Sequence, residues 1–582
     1  MSGLGRRAGV GKGCGPLLWS LLWSLLLSVM LLGPALGPGY VLHRDMVWVP
    51  DLALGRADVL GLGSALPRAV PSDAVIAALD EVIPAMLIQK LVLLGSLVGA
   101  GLGAAALVGG RTAPRLAVAS VAIWNPFVVE RLGMGHWPVL LGYAAVPWLV
   151  IAGRCVAARG TLPGWALLVL VLGSLSANAG LVSGATLLIT ALAGGGRGRG
   201  AWRRTAVLVA AVAAANAPWI VAGFVHAAAA ADAAGYRAFA TSGDGLPGPL
   251  AALTLGGIWN GDVVPDSRHG VLPWFGLLLL VLAVVAGGRR WWRASGPRQG
   301  GALVVLWSVG VGVAVVSWAV PGVLADLGGW VPGGALLRDG TRELALALPL
   351  TVGIVAAAVE RLCAWAPQRL AAGALALAVV AAPVALMTDA AWGLGGSLRA
   401  AHYPAEWLAA RARVASGHGA ALLVPLSNYR APAWNGGQPV IDPLARVLAV
   451  DVTLDDDLVV DGVGVPGEDP AARAARAALG ESTPDARAIA LRRAGIGWVV
   501  SENDAGGDVP EVAGSVVHDG PLLRIIRLDG LVQVPSAGMP ARVAQGLAWI
   551  AFLLVVGCGA ARAAGRSVRM ATGRHQPARL RD

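Results

Sequence analysis

Apolar residues run along the chain in blocks of spanning length, punctuated by short polar clusters rich in arginine. A bilayer core of about 30 Å takes about 20 apolar residues in helical form. Blocks of this kind lie at approximately 16–37, 84–108, 116–129, 137–153, 162–178, 180–195, 205–226, 271–288, 300–320, 343–363, 369–392 and 541–561. The pattern predicts a mainly α integral membrane protein of about 12 transmembrane helices. The blocks 116–129 and 180–195 are short for a full crossing. The first block follows Arg6, Arg7 and Lys12 and is read as a retained helix, because no small-residue cleavage site follows it.

Three segments between blocks are too long to be turns. Residues 38–83 end in a stretch with apolar positions at helical spacing, which predicts a helix lying at the membrane interface with Ser72 or Asp73 as its N-cap. Residues 227–270 carry Asp244, Trp259, Asn260, Asp262 and Asp266. Residues 393–540 are numerous enough for a domain. There, AEWLAARARVA precedes the strand-like ALLVPLS, DARAIALRRAG precedes IGWVVSE, and LLRIIRL follows, which predicts an α/β domain. Its acidic run DVTLDDDLVVD reads as a solvated loop or edge strand rather than a metal site. The organisation is then a multi-span body over 1–392, a domain over 393–540, and a final helix with a basic tail over 541–582.

Composition agrees with a lipid solvent. The chain is 56% hydrophobic, 14% charged and has a mean hydropathy of +0.68, more apolar side chain than one soluble core buries. A net charge of +11 would suit nucleic acid in a soluble protein, but the arginines sit in the short loops, where they act as topology signals. With both termini cytoplasmic, those loops hold Arg111 and Arg115, Arg154 and Arg159, Arg197 to Arg204, Arg289 to Arg298, Arg361 and Arg369, and Arg562 to Arg581. Glu360 and Asp582 are then the only acids on that side, and 393–540 is extracytoplasmic. Cys14, Cys155, Cys363 and Cys558 fall at or near the same side, so the outer domain needs no disulfide. Richness in Ala, Gly, Val and Arg fits a GC-rich genome such as an actinobacterium's.

Three polar clusters border the blocks. His43-Arg44-Asp45 follows the first block, where unpaired polar groups are costly. Trp124-Asn125-Pro126, Glu130-Arg131 and Gly135-His136-Trp137 follow the third, with the proline ending or kinking the helix. Leu337-Arg338-Asp339-Gly340-Thr341-Arg342-Glu343 opens the tenth, and its two arginines, four residues apart, share a helical face suited to phosphate. Each cluster also has a purely structural reading: Arg44 with Asp45, Glu130 with Arg131, Arg338 with Asp339 and Arg342 with Glu343 as local ion pairs.

The acidic residue soon after the first span, the long first outer loop, the multi-span body and the C-terminal outer domain resemble the GT-C class of polyprenyl-phosphate-sugar-dependent glycosyltransferases. HRDM at 43–46, PRAVPSD, WNPFVVERLGMGHWPVLLGYAAVPW, LLRDGTREL and YRAPAWNGGQPVIDP are similar to an actinobacterial group of integral membrane proteins placed with that class. Members of the class place an acidic pair in the first loop, whereas here Asp45 stands next to arginine. The resemblance implies transfer of a sugar from a polyprenyl phosphate to an envelope glycan or glycolipid hydroxyl on the outer face. It implies Asp45 as the base, Arg338 and Arg342 as contacts to the lipid phosphate, and Arg44 as a third. Glu130, His136 and Asp339 are expected to position the acceptor or bind a divalent cation, Mg²⁺ or Mn²⁺ suiting hard carboxylate oxygens, although nothing in the sequence forces a metal. Trp434 and Asn435 are candidates for glycan contact, against an ordinary turn at WNGG. A non-catalytic envelope scaffold and a transporter are the alternatives. The second lacks support from internal repeats.

Overall fold

The computed structural model describes residues 14–195, 199–226, 233–330, 333–366, 368–414, 417–460, 462–507 and 509–571. Arg6, Arg7, Lys12, Arg197 and the tail 572–582 lie outside them. Among the described residues, nine helices are long and apolar enough to cross a membrane: Gly15–Leu36, Ala85–Val108, Thr112–Met134, Trp137–Arg159, Gly200–Val225, Leu272–Ala319, Gly340–Trp365, Arg369–Leu386 and Met539–Gly565. The chain is therefore a multi-pass membrane protein, with fewer helices of full spanning length than the expected 12. Two causes account for the difference. The 48-residue stretch Leu272–Ala319 is broken at Gly296, whose φ of 73° and ψ of 161° leave the helical region just before Pro297, so it holds two of the expected blocks. Gly164–Leu172 and Ala177–Leu192, with 9 and 16 residues, are helical but short.

Several helices carry basic residues at one end and candidate site residues at the other. Trp137–Arg159 runs from beside His136 to Arg159, and Gly340–Trp365 runs from beside Asp339 past Arg361. At the basic end Arg290 pairs with Glu360 at 3.0 Å, Arg361 donates to the Ala286 carbonyl at 3.0 Å, and Gly195 faces Arg298. A helix of 23 residues is about 35 Å long, which separates the two ends by a bilayer's thickness.

The opposite end carries a five-stranded sheet in the order Ser515–Asp519, Leu523–Arg527, Ile496–Glu502, Ala420–Val424, Val452–Thr453. Ala420–Val424 lies parallel to both its neighbours, and the other pairings are antiparallel. Ile496–Glu502 is buried along its whole length, as its near-continuous apolar run requires. Helices Ala405–Arg413 and Pro484–Arg493 precede the strands Ala420–Val424 and Ile496–Glu502. The first long loop completes this unit's core: Leu42, Val47, Val49 and Leu52 pack with Trp407, Leu423, Trp498 and Ile525. Polar ties reinforce the contact, with Tyr403 donating to the Trp48 carbonyl at 2.9 Å and Arg446 pairing with Asp73 at 3.0 Å. The expected helix is present as Ser72–Asp80, but Pro71 occupies the cap position and Ser72 instead donates to the Ala69 carbonyl at 2.9 Å. Four of its residues are buried, so it is held between body and sheet unit.

Candidate active site at the junction of membrane body and sheet unit

Asp45 is fixed by its backbone before its side chain. Arg44 sits at φ 49°, a left-handed conformation uncommon outside glycine. Its N–H donates to the Pro439 carbonyl at 2.6 Å, and its carbonyl accepts from the Ile441 N–H at 2.8 Å. The Asp45 N–H donates to the Met134 carbonyl at 3.0 Å. The HRDM loop is thus stitched to the ribbon Tyr429–Arg430/Val440–Ile441 on one side and to the helix Pro126–Met134 on the other. The preceding helix, Thr112–Ile123, ends before the proline, and this one begins there, with Asn125 accepting from the Val128 N–H at 3.1 Å and Pro126 as its first residue. It ends at Gly135, φ 79°, where a Cβ would lie 2.3 Å from the Met46 nitrogen. Only glycine permits that approach.

His136 Nε2 lies 3.0 Å from Asp45 Oδ2, and the Tyr429 hydroxyl donates to Asp45 Oδ1. His136 Nδ1 is 3.1 Å from Arg131 Nη1. A guanidinium has no acceptor, so Nδ1 accepts, the proton sits on Nε2, and Nε2–H donates to Asp45. Burial pushes the Asp45 carboxyl up, but the hydrogen bonds from His136 and Tyr429 and the charge of Arg342 outweigh it and hold the group below its ordinary value. Burial lowers His136, assisted by the charges of Arg342 and Arg131 and opposed by Asp45. The pair at neutral pH is therefore carboxylate and neutral imidazole. The Asp45 side chain stays 31% exposed, and a carboxylate with two donors retains lone pairs for a third.

Behind this pair lies a buried brace. Arg131 meets Asp339 through two contacts, Nη1 to Oδ2 at 2.9 Å and Nη2 to Oδ1 at 3.1 Å, and Nη2 also donates to Thr341 Oγ1. Thr341 Oγ1 donates to Asp339 Oδ1 at 2.7 Å, and Arg342 Nε donates to Oδ2 at 3.0 Å. Each Asp339 oxygen thus accepts two hydrogen bonds, which fills its lone pairs. Although burial opposes ionisation, the Arg131 and Arg342 charges hold this carboxyl far below its usual range. Arg342 Nη1 donates to Asn178 Oδ1 at 3.0 Å, and the Arg342 side chain is 30% exposed on the Asp45 side of the brace.

The other nominated residues lie apart from this group. Glu130 turns away from Asp45 and lies against Asp244, which Arg268 binds at 2.5 Å and 2.9 Å. Burial raises Asp244 despite the Arg268 charge. Arg44 reaches Asp262 at 3.1 Å. Arg338 pairs with Glu468 at 3.2 Å and stacks on Phe239, and burial together with the Arg68 charge lowers it to about 10. The local ion pairs of the structural reading are replaced by long-range ones: Arg131 takes Asp339 rather than Glu130, and Arg338 takes Glu468 rather than Asp339. Arg68 shares Glu468 with it at 3.1 Å. Trp434, half-buried, packs on Tyr403 and Trp407 at the edge of the core, and the buried Asn435 donates to the Leu42 carbonyl at 3.0 Å. Among the described residues, the acidic trio with metal-like spacing is Asp455, Asp456 and Asp457. Asp456 Oδ2 accepts from the Glu468 and Asp469 N–H groups, and Asp455 and Asp457 both pair with Arg476.

The spanning helices with the sheet unit at one end have a GT-C fold. The solved structure that carries this assignment is that of arabinofuranosyltransferase AftD from Mycobacteria, matched at a TM-score of 0.55 and 20% identity over 91% of this chain. This chain spans 40% of that protein's length. A mutant form of the same enzyme matches at a TM-score of 0.49 and 18% identity, covering 91% of this chain and 42% of its own. No family model and no curated protein sequence matches the chain.

Proposed function

We propose that the protein is a membrane glycosyltransferase that moves a sugar from a polyprenyl-phosphate donor to a hydroxyl of an envelope glycan or glycolipid on the outer face. The observation that carries this reading is Asp45: a partly exposed carboxylate held by His136 and Tyr429 where the helical body meets the sheet unit. In the transfer, the acceptor oxygen bonds to the anomeric carbon as the carbon–phosphate oxygen bond breaks, and the phosphate leaves with the electron pair. The acceptor proton becomes acidic as the new bond forms, so a carboxylate of low pKa suffices to receive it. His136 cannot take that role while Arg131 occupies its second nitrogen, and it acts as a positioning residue. Arg342, the exposed guanidinium nearest Asp45 in the brace, stabilises the leaving phosphate, with Arg338 and Arg68 flanking it. Arg44 steers the loop through Asp262, and Glu130 supports the helix that carries Arg131.

A cavity of about 830 Å³ supports a lipid-linked donor. Its walls are apolar, from Leu279, Val355 and Leu386, and it extends from Asn125 and Arg268 at one end to Arg361 at the other. Asn125 caps the helix whose far end holds Asp45, about 14 Å away along the axis. AftD is an arabinofuranosyltransferase by name, which makes a pentofuranosyl donor the first to try. Deleting the gene tests the reading: a polyprenyl-phosphate sugar accumulates and an envelope glycan loses the corresponding residue. Unchanged glycans and carrier pools would contradict it.

A further inference from the structure

The sheet unit contains a second cavity, of about 500 Å³. It lies where a parallel α/β sheet builds ligand sites, outside the carboxyl ends of adjacent parallel strands. One wall is the loop after Ala420–Val424, with Ser427, Tyr429 and Arg430; another is the loop after Ile496–Glu502, with Ala505; the third is the end of helix Pro470–Leu479, with Arg476. The size falls in the range of about 300–1,000 Å³ typical of sites for small ligands. Its chemistry narrows the ligand. Arg430 is neutralised by Glu502 at 3.2 Å and Asp442 at 3.4 Å, and Arg476 by Asp455 and Asp457. Two guanidinium groups thus meet four carboxyl groups, so the walls are polar but offer no free positive charge, a setting that favours a polyhydroxylated neutral ligand over an anion or a lipid chain. Tyr429 belongs to both sites, since its side chain lines the cavity while its hydroxyl donates to Asp45.

We infer that this cleft holds the sugars behind the accepting residue of a neutral oligosaccharide acceptor, so that its terminal hydroxyl reaches Asp45. The inference rests on the glycosyltransferase reading, and the experiment separates the two. The full-length protein in detergent is titrated with octyl glycosides of one and of four to six arabinofuranose units, with binding read by saturation-transfer NMR, and transfer from an added synthetic polyprenyl-phosphate arabinofuranose, which releases the polyprenyl phosphate, read by product analysis. Wild-type protein binds the longer glycosides roughly tenfold or more tightly than the single-sugar one. Ala505→Trp, which fills one wall, and Gly480→Phe, which fills the facing one, abolish that preference while retaining transfer to the single-sugar glycoside. A preference that survives in both folded variants, or no preference in the wild type, overturns the inference. Chain-length-dependent binding that the variants lose, with no transfer to any glycoside, strikes the transferase reading and leaves the cleft as a glycan site.

Discussion

Tyr429 and His136 bear on Asp45 in different ways, and the difference is measurable. Tyr429 gives the carboxylate one neutral hydrogen bond, and burial together with the adjacent negative charge keeps its own hydroxyl protonated. Removing a donor to the charged form raises the pKa of that form. Tyr429→Phe therefore shifts the acidic limb of the kcat/KM profile to higher pH by about one unit, leaving the plateau within roughly tenfold of wild type. A limb that stays in place would show that the contact does not act on Asp45. His43 offers a second titration. Burial and the Arg44 charge lower it to about 4, so the folded protein binds fewer protons than the unfolded chain between that value and the ordinary 6.5. Stability is then lost as pH falls from about 6.5 to 4, and His43→Asn flattens the fall in melting temperature over that window. A fall equally steep in the variant would show that it arises elsewhere. Asp45 and His136 were legible from their motifs. Tyr429 was not: it opens the YRAPAWNGGQPVIDP stretch, but 384 positions separate it from Asp45 and nothing in that stretch ties it to the acid. Arg131 was legible only as a neighbour of Glu130, whereas its partner Asp339 lies 208 positions on.

At the level of elements, periodicity served well where structure is local, whereas the cap expected at Ser72 or Asp73 gives way to Pro71. The break at Asn125-Pro126 follows from a side-chain cap and a proline at the first helical position, and the helix-to-strand steps of the sheet unit follow from apolar runs of differing length. Sequence pattern fails where two elements share one job. The loop 42–52 looks like a connector but supplies core residues to a sheet built from residues 420–527, because its apolar side chains find burial there rather than against its neighbours. Gly135 is the hinge of this arrangement. Gly135→Ala combines a left-handed alanine, at a cost of about 1–2 kcal/mol, with a clash against the Met46 backbone. The variant melts several degrees lower and loses transfer, whereas Gly546→Ala, at a position with open space for a Cβ, leaves both unchanged. Equal behaviour of the two variants would mean that the close approach of loop and helix does not set the site.

For the whole molecule, the account depends on which side of the membrane the site faces. Arginine-bearing loops meet at one end of the bundle and Asp45 sits at the other, and the proposal that Asp45 and the sheet unit face outside rests on the positive-inside rule. Reporter fusions after Arg298 report cytoplasm and fusions after Gly462 report the exterior; reversal of either would move the site to the wrong face for a polyprenyl-phosphate donor. The central claim, that Asp45 receives the acceptor proton, is tested most directly by single-turnover transfer from a synthetic polyprenyl-phosphate sugar with purified wild type and Asp45→Asn. The amide keeps the shape of the carboxylate but removes the proton acceptor, so transfer falls by about two to four powers of ten while donor binding holds within a few-fold. Wild-type rates from a correctly folded Asp45→Asn protein would contradict the claim.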